Sequence, residues 1–265
     1  MTVPTLAVQE LGRAPGLPLL VLGPSLGTST ILWEAAAPTL AEHFRLLAWD
    51  LPGHGESPAT TDPFTAAELA EAVVAALGVV GAGDEPFFYA GVSLGGATGL
   101  ELMLRHGGRV RASAIIASGA QLGDPAGWRE RAAKVRSEST SSIIIPSAQR
   151  WFAPESMAAH PDLTGRLLHA LQNADDESYA LCCEALAAYD VRDRLAEITV
   201  PALALWGRHD VVAPEAKALE IAAGVAHGES AFIERAAHLP PAEQPEATAA
   251  ALREFFARHT DGVQP

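Results

Sequence analysis

The fold is decided by the stretch Phe87-Phe88-Tyr89-Ala90-Gly91-Val92-Ser93-Leu94-Gly95. An apolar run leads into a G-x-S-x-G motif, and a helical pattern follows from position 94 to about 106. Between a strand and a helix, this motif holds its serine on a strained turn with the hydroxyl exposed above a sheet. The glycines are small because the tight turn brings the helix against the strand. We therefore predict a strand over 86–93 and Ser93 as a nucleophile.

The sequence on either side alternates short apolar runs with longer helical segments, which is typical of βαβ units in a mostly parallel sheet. The predicted strands are 17–23, 44–50, 86–93, 111–119, 201–207 and 229–234. Outside the insertion described next, helices are predicted from Thr65, where Glu68 completes a capping box, and over 94–106 and 243–258. Most strands end in Gly, Asp or Ser, at the edge where open α/β sheets bind ligands.

Roughly 80 residues separate the strands at 111–119 and 201–207, too many for an ordinary connection. We predict an inserted helical cap with helices over 128–139, 147–152, 162–173 and 176–188, interrupted by prolines at 146, 154 and 161. The expected division is a core of residues 1–120 and 199–265 and a cap of residues 121–198.

Composition limits the possible partners and cofactors. The 265 residues are 49% hydrophobic and 19% charged, as expected of one globular unit. A net charge of -14 argues against a nucleic-acid partner. No apolar run of about 20 residues is recognisable, so we expect no membrane partner. No secretory signal is recognisable either, so we expect a cytoplasmic protein. The only cysteines, Cys182 and Cys183, are adjacent, and the histidines are scattered, so neither a metal nor another cofactor is expected.

A neutral serine needs a base, and the base needs an acid to orient it. For this strand–turn–serine arrangement the chain order is serine, acid, histidine. Asp210 follows the strand at 201–207, and His238 follows the strand at 229–234. We predict Asp210 as the orienting acid and His238 as the general base.

Several other residues compete for these roles. His209 adjoins Asp210 but would give the wrong chain order for a base, and His54 is expected to bond loop backbone in a turn. Asp124 follows the strand at 111–119 at a distance of five residues, and Glu234 is expected to remain on its strand.

Attack on a carbonyl also needs two N–H donors for the oxyanion. The backbone N–H of Leu94 is one candidate, since it begins a helix whose dipole favours negative charge. Leu26, in the loop 23–28, is the other, because Pro24 has no N–H and Gly27 lets the chain turn toward the site.

Four segments carry a resemblance to the α/β-hydrolase superfamily over nearly the whole chain. They are Asp50-Leu-Pro-Gly-His-Gly-Glu-Ser57, Gly91-Val-Ser-Leu-Gly-Gly96, Gly207-Arg-His-Asp210 and Ala236-Ala-His238. The predicted cap segments Arg150-Trp-Phe-Ala-Pro154 and 182–195, and Ser25-Leu-Gly-Thr28 followed by Trp33, are similar to the β-ketoadipate enol-lactone hydrolases. This resemblance implies an α/β-hydrolase fold and opening of a small enol-lactone that bears a carboxylate.

The charge pattern of the predicted cap indicates where a substrate carboxylate is held. Five basic side chains against two acidic ones lie between 129 and 150, and an inward-facing arginine can bind a carboxylate in a bidentate fashion. The candidate substrate-binding residues are Ser25, Arg131, Lys134, Arg136 and Trp151. Pro24 and the bulky run Ile143-Ile144-Ile145 depart from the family pattern, in the oxyanion loop and in the predicted acyl pocket.

Other functions share the same three catalytic residues. A carbon–carbon bond hydrolase, a general esterase or lactonase and a cofactor-free haloperoxidase all remain open, as does a receptor that has lost turnover. The sequence makes no prediction of the oligomeric state.

Overall fold

Continuous apolar runs form the centre of a seven-stranded sheet in the computed structural model, which describes residues 2–12 and 16–260. The strands are β1 (Val8–Gly12), β2 (Leu19–Gly23), β3 (Arg45–Trp49), β4 (Phe87–Val92), β5 (Val110–Ile116), β6 (Ala202–Gly207) and β7 (Gly228–Ile233). Their order is β1-β3-β2-β4-β5-β6-β7, and only the β1–β3 pair is antiparallel. Every residue of β2, β4 and β6 is buried, as expected for parallel strands covered on both faces. The predicted α/β class is confirmed.

Helices fill the connections between strands. They are α1 (Ala37–Ala41), α2 (Ala66–Val79), α3 (Leu94–His106), α4 (Pro125–Glu138), α5 (Ile144–Trp151), α6 (Ser156–Ala159), α7 (Pro161–Asn173), α8 (Asp176–Ala188), α9 (Glu215–Gly224), α10 (Pro240–Glu243) and α11 (Pro245–Ala257). Short 3-10 helices occupy Thr30–Trp33, Thr140–Ile143 and Arg192–Glu197. The predicted capping box is confirmed, because Thr65 accepts from the N–H of Glu68 and the Glu68 carboxylate accepts from the N–H of Thr65. In the described residues no helix has the length and apolarity to cross a membrane.

Differences between the prediction and the structure include β1, the end of β5 and the start of the last helix. Strand β1 is absent from the prediction, because its sequence Val-Gln-Glu-Leu-Gly is polar and lies half-buried at the sheet edge. Strand β5 ends at Ile116 rather than 119, since Ala117 takes a positive φ of 47°. The predicted helix 243–258 is α11, which begins at Pro245 because Gln244, with a φ of −140°, is not helical and separates α11 from the short α10.

The segment between β5 and β6 is helical and contains no strand, as predicted. Helix α4 packs against α8, while α7 packs against α5 and against the 3-10 helix that follows β2. Helix α5 begins at Ile144, earlier than predicted, because Pro146 lies in its first turn, where a missing N–H is tolerated. These helices cover the loop after β2. The division into a core domain and a cap domain stays a prediction.

Candidate active site

Ser93 lies on a sharp turn between β4 and α3, with φ 56° and ψ −114°. A serine rarely adopts a positive φ, so the surrounding structure must hold it there. The N–H of Ser93 donates to the carbonyl of Ile116 at 2.9 Å, and the hydroxyl of Ser118 donates to the carbonyl of Ser93 at 2.7 Å. A Cβ on Gly95 would lie 2.6 Å from the carbonyl oxygen of Pro24, so only glycine fits this close approach. The turn is therefore held by the segment at the end of β5 on one side and by the loop after β2 on the other.

Asp210 and His238 form a buried hydrogen-bonded pair after β6 and β7. Nδ1 of His238 lies 3.0 Å from Oδ2 of Asp210, and Oδ1 accepts from the N–H groups of Val212 at 2.7 Å and Ala213 at 3.0 Å. Burial alone would raise the pKa of Asp210, but the charge and hydrogen bond of His238 and the two backbone N–H groups hold that pKa below its usual value. An ionised carboxylate only accepts, so Nδ1 carries the proton and Nε2 is left as an acceptor.

The loop after β2 brings a second set of backbone groups to the serine. Gly27 has a φ of 83°, and its N–H donates to Nε2 of buried His54 at 3.2 Å. Pro24 contributes through its carbonyl, which accepts from the N–H of Gly95 at 3.0 Å. In the part of the chain that the structure describes, the N–H groups of Leu26 and Leu94 donate no hydrogen bond within the protein. Both remain available to a ligand.

Ser93 and His238 open into one cavity of about 280 Å³, slightly smaller than the roughly 300–1,000 Å³ typical of small-molecule sites. The sequence candidates Ser25, Leu26, Arg131 and Trp151 line it as well. Its other lining residues are Gly123, Asp124, Gly127, Trp128, Arg150, Tyr179, Val211 and Val212.

Two arginines give the cavity its positive charge. Nη2 of Arg131 donates to Oγ of Ser147 at 3.1 Å, and the guanidinium stacks near the rings of Trp128 and Tyr179. Desolvation and, after it, the charge of Arg131 lower the pKa of Arg150 below its usual value. Over residues 2–12 and 16–260, no ion pair involves either arginine. Both guanidinium groups therefore remain available to a ligand carboxylate, although the carboxylate of Asp124 lines the same cavity.

Three polar atoms at this cavity are buried without a partner among the described residues. They are Oγ of Ser25, Nε of Arg131 and the hydroxyl of Tyr179. Buried polar groups are normally hydrogen-bonded, so their convergence on one cavity suits a polar ligand. Tyr179 is not among the sequence candidates, because a tyrosine in the buried face of α8 cannot be told from a core residue by sequence.

Lys134 and Arg136 do not reach the cavity, contrary to expectation. The Lys134 ammonium pairs with Glu138 at 2.5 Å on the outer face of α4, and Arg136 pairs with Glu177 and Glu184 of α8. Arg136 lies five residues from Arg131, so the helical period places it on another face of α4. Lys134, three residues from Arg131, lies near the same face, but its side chain turns to Glu138. The second arginine that lines the cavity is Arg150. It was counted among the basic residues between 129 and 150 but was not named as a candidate substrate-binding residue.

The competing residues have other partners. His54 bonds loop backbone as predicted, with Nδ1 2.8 Å from the carbonyl of Pro52. Asp124 accepts from the N–H of Gly127 as the N-cap of α4, although it also lines the cavity. Glu234 lies beyond the end of β7, correcting its expected place on the strand, and faces Arg208 at 3.6 Å.

The isoleucine run and possible metal ligands are the remaining sequence features to place. None of the three isoleucines at 143–145 lines it, so the expected change in the acyl pocket is not seen. In the described ranges, no group of three or more His, Cys, Asp and Glu side chains is arranged to hold a metal ion.

The alpha/beta hydrolase fold family model matches residues 18–245, which spans the sheet, the turn at Ser93 and the segments with Asp210 and His238. The chain belongs to the α/β-hydrolase fold family.

Within that family, the sequence is similar to 3-oxoadipate enol-lactonase 2 of Acinetobacter baylyi, with 31% identity over 87% of this chain and 85% of the relative. The structure is similar to the crystal structure of the enol-lactonase from Burkholderia xenovorans LB400, with a TM-score of 0.90, 31% identity and coverage of 95% and 96%. A pimeloyl-[acyl-carrier protein] methyl ester esterase of Vibrio cholerae is 27% identical over 90% of this chain and 94% of its own. The resemblance to enol-lactonases inferred from sequence is confirmed.

Proposed function

We propose that this chain is a serine hydrolase that opens the ester bond of a small enol-lactone bearing a carboxylate, of the 3-oxoadipate enol-lactone type. The observation that carries the proposal is one cavity holding Ser93, His238 and two arginines without carboxylate partners. The named activity of the enol-lactonase relatives supports the same substrate class.

In the proposed mechanism, Nε2 of His238 accepts the proton of Ser93 as the serine oxygen attacks the lactone carbonyl. Asp210 keeps the tautomer in which Nε2 is free and stabilises the imidazolium that forms. The N–H groups of Leu26 and Leu94 donate to the oxyanion. Collapse breaks the ring C–O bond, and the enol that leaves takes its proton from His238.

Two later steps make ring opening effectively irreversible. The released enol tautomerises to a ketone, which removes the nucleophile that could close the ring again. Water, deprotonated by His238, then attacks the acyl group on Ser93, and the serine leaves with the proton returned to it.

The substrate carboxylate is expected between Arg131 and Arg150, within reach of the Tyr179 hydroxyl. A planar guanidinium offers paired donors to a carboxylate, and a half-desolvated site strengthens that interaction. The rings of Trp128 and Trp151 supply apolar walls for the carbon skeleton.

A substrate panel tests the proposal. Purified protein is given an enol-lactone with a carboxylate, a neutral lactone of the same ring, a methyl ester of a dicarboxylic acid, a dienone acid and p-nitrophenyl acetate. We expect kcat/KM to be highest for the carboxylated enol-lactone. Highest kcat/KM on the dicarboxylic methyl ester or the dienone acid would identify an esterase or a carbon–carbon bond hydrolase instead.

Variants separate chemistry from binding. Ser93→Ala should lower kcat by about 10⁶-fold without unfolding. Arg131→Met should raise KM for the carboxylated lactone and leave the neutral lactone unaffected, whereas Lys134→Met, on the outer face of the same helix, should change neither. Failure of a fluorophosphonate to label Ser93 would favour the receptor alternative.

A further inference from the structure

Glu243, at the end of α10, places a buried carboxylate between the His238 loop and the segment after α5. It is 1% exposed. Oε1 accepts from the N–H of Ala237 at 2.8 Å and of Leu239 at 3.1 Å. Oε2 accepts from the N–H of Ala153 at 2.6 Å and from the hydroxyl of Ser156 at 2.7 Å.

No cation balances this carboxylate. None of the ion pairs between described residues involves Glu243, so the four donors are the partners that stabilise its ionised form. Burial raises the pKa of this carboxyl, and the four hydrogen bonds oppose that rise. Burying a charge costs several kcal/mol unless it is well paired or hydrogen-bonded. A fold that needed only packing at this position would place an apolar residue there. The arrangement therefore points to a geometric role.

The hydrogen bonds of Glu243 lie on both sides of His238. The N–H groups of residues 237 and 239 share one carboxylate oxygen, and the N–H of His238 itself donates to the carbonyl of Trp151 at 3.1 Å. Three consecutive N–H groups are thus fixed. A fixed backbone sets the direction of the Cα–Cβ bond of His238, and the hydrogen bond of Nδ1 to Asp210 then orients the ring.

We propose that Glu243 is a positioning residue for His238, acting through the N–H groups on either side of it and joining that loop to the segment 151–156. The inference rests on the proposed function, in which His238 is the base for Ser93. Because both carboxylate oxygens are used, the position of the cavity wall at Trp151 and the position of the imidazole are coupled.

The test is the second-order rate at which a fluorophosphonate labels Ser93. His238 accelerates this reaction, which needs no natural substrate, and a residual rate without His238 is measured at high probe concentration. Glu243→Met keeps the length of the side chain and removes every acceptor. We expect labelling to slow by about 10²-fold, the size of effect produced by a 1 Å misplacement of a catalytic group. The reference variant is Glu101→Met, which removes a buried carboxylate of α3 far along the helix and should label at the wild-type rate.

A His238→Ala background distinguishes positioning from general damage. There, Glu243→Met should slow labelling by less than about twofold further, because the residue acts only through His238. A full additional loss in that background would overturn the proposal. So would a folded Glu243→Met that labels at the wild-type rate.

Glu243→Gln is the milder variant and decides the question if Glu243→Met does not fold. Its amide oxygen can keep both loop N–H groups, while its NH2 group faces the N–H of Ala153, so we expect labelling about three- to tenfold slower than wild type. A wild-type rate for Glu243→Gln would show that the bond to Ala153 does not help to place His238 and would overturn the proposed link between the two segments. If the wild-type protein is labelled by the fluorophosphonate but does not hydrolyse the enol-lactone, only the proposed substrate is refuted. The test of Glu243 still applies.

Discussion

Asp210→Asn is the change that examines the proposed mechanism most directly. Oδ1 of Asp210 accepts from two backbone N–H groups, at 2.7 Å and 3.0 Å, which cannot accept in return. The amide introduced by the substitution must therefore keep its oxygen on that side and turn its NH2 group toward Nδ1 of His238. His238 must then present Nδ1 as an acceptor and carry its proton on Nε2, where it cannot take the proton of Ser93.

The expected magnitude follows from this tautomer change. Holding the histidine of a serine hydrolase in the wrong tautomer lowers kcat by about 10⁴-fold, or about 5 kcal/mol of transition-state stabilisation. Packing should change little, because the side chains of asparagine and aspartate have nearly the same shape. The assay is kcat on the carboxylated enol-lactone and on p-nitrophenyl acetate, with the melting temperature measured in parallel.

Asp124→Asn is the matched control. Asp124 lines the same cavity, but among the described residues its carboxylate accepts one hydrogen bond, from the N–H of Gly127, which an amide oxygen accepts equally well. We expect activity within a few-fold of wild type. Retention of more than a tenth of the activity by Asp210→Asn, or an equal loss in Asp124→Asn, would refute the assignment of the acid.

Two other predictions concern the oxyanion loop. Burial lowers the pKa of His54 from 6.5 to about 4. As pH decreases between these two values, the unfolded state binds a proton that the folded state does not bind. The free energy of unfolding should therefore decrease by up to about 1.4 kcal/mol per pH unit. His54→Gln should flatten this part of the melting-temperature profile, and an unchanged slope would assign it to other groups. Gly95→Ala should cost about 1–3 kcal/mol in urea denaturation because its Cβ meets the Pro24 carbonyl, whereas Gly78→Ala, with open space around it in α2, should not destabilise.

Local signals in the sequence identified most of the sheet and the positions of the three proposed catalytic residues. The G-x-S-x-G motif between an apolar run and a helical run predicted the turn at Ser93, which the structure has with a φ of 56°. Strands ending before Asp210 and His238 predicted that these residues follow β6 and β7, and they do. Strand β1 gives no such signal, because an edge strand with polar residues lacks the apolar run that marks the others.

The lining of the cavity was less predictable, because it depends on which face of each helix turns inward. Arg131 and Arg136 are separated by little more than one turn of α4, yet one stacks near Tyr179 at the cavity and the other pairs with glutamates of α8. Charge counting alone could not separate them. Only the packing of α4 on α8 decided which guanidinium remains for a ligand.

By itself, the sequence determined which reactive side chains are present and which predicted strand each of them follows, since both are local properties of the chain. The tertiary structure decided which distant groups meet: the carboxylate of Asp210 with the imidazole of His238, and that of Glu243 with the backbone around it. Contacts between groups far apart in the chain depend on how the sheet and helices pack. Hydrogen bonds are sensitive to tenths of an ångström, and that precision is set by packing rather than by the spacing of residues along the chain.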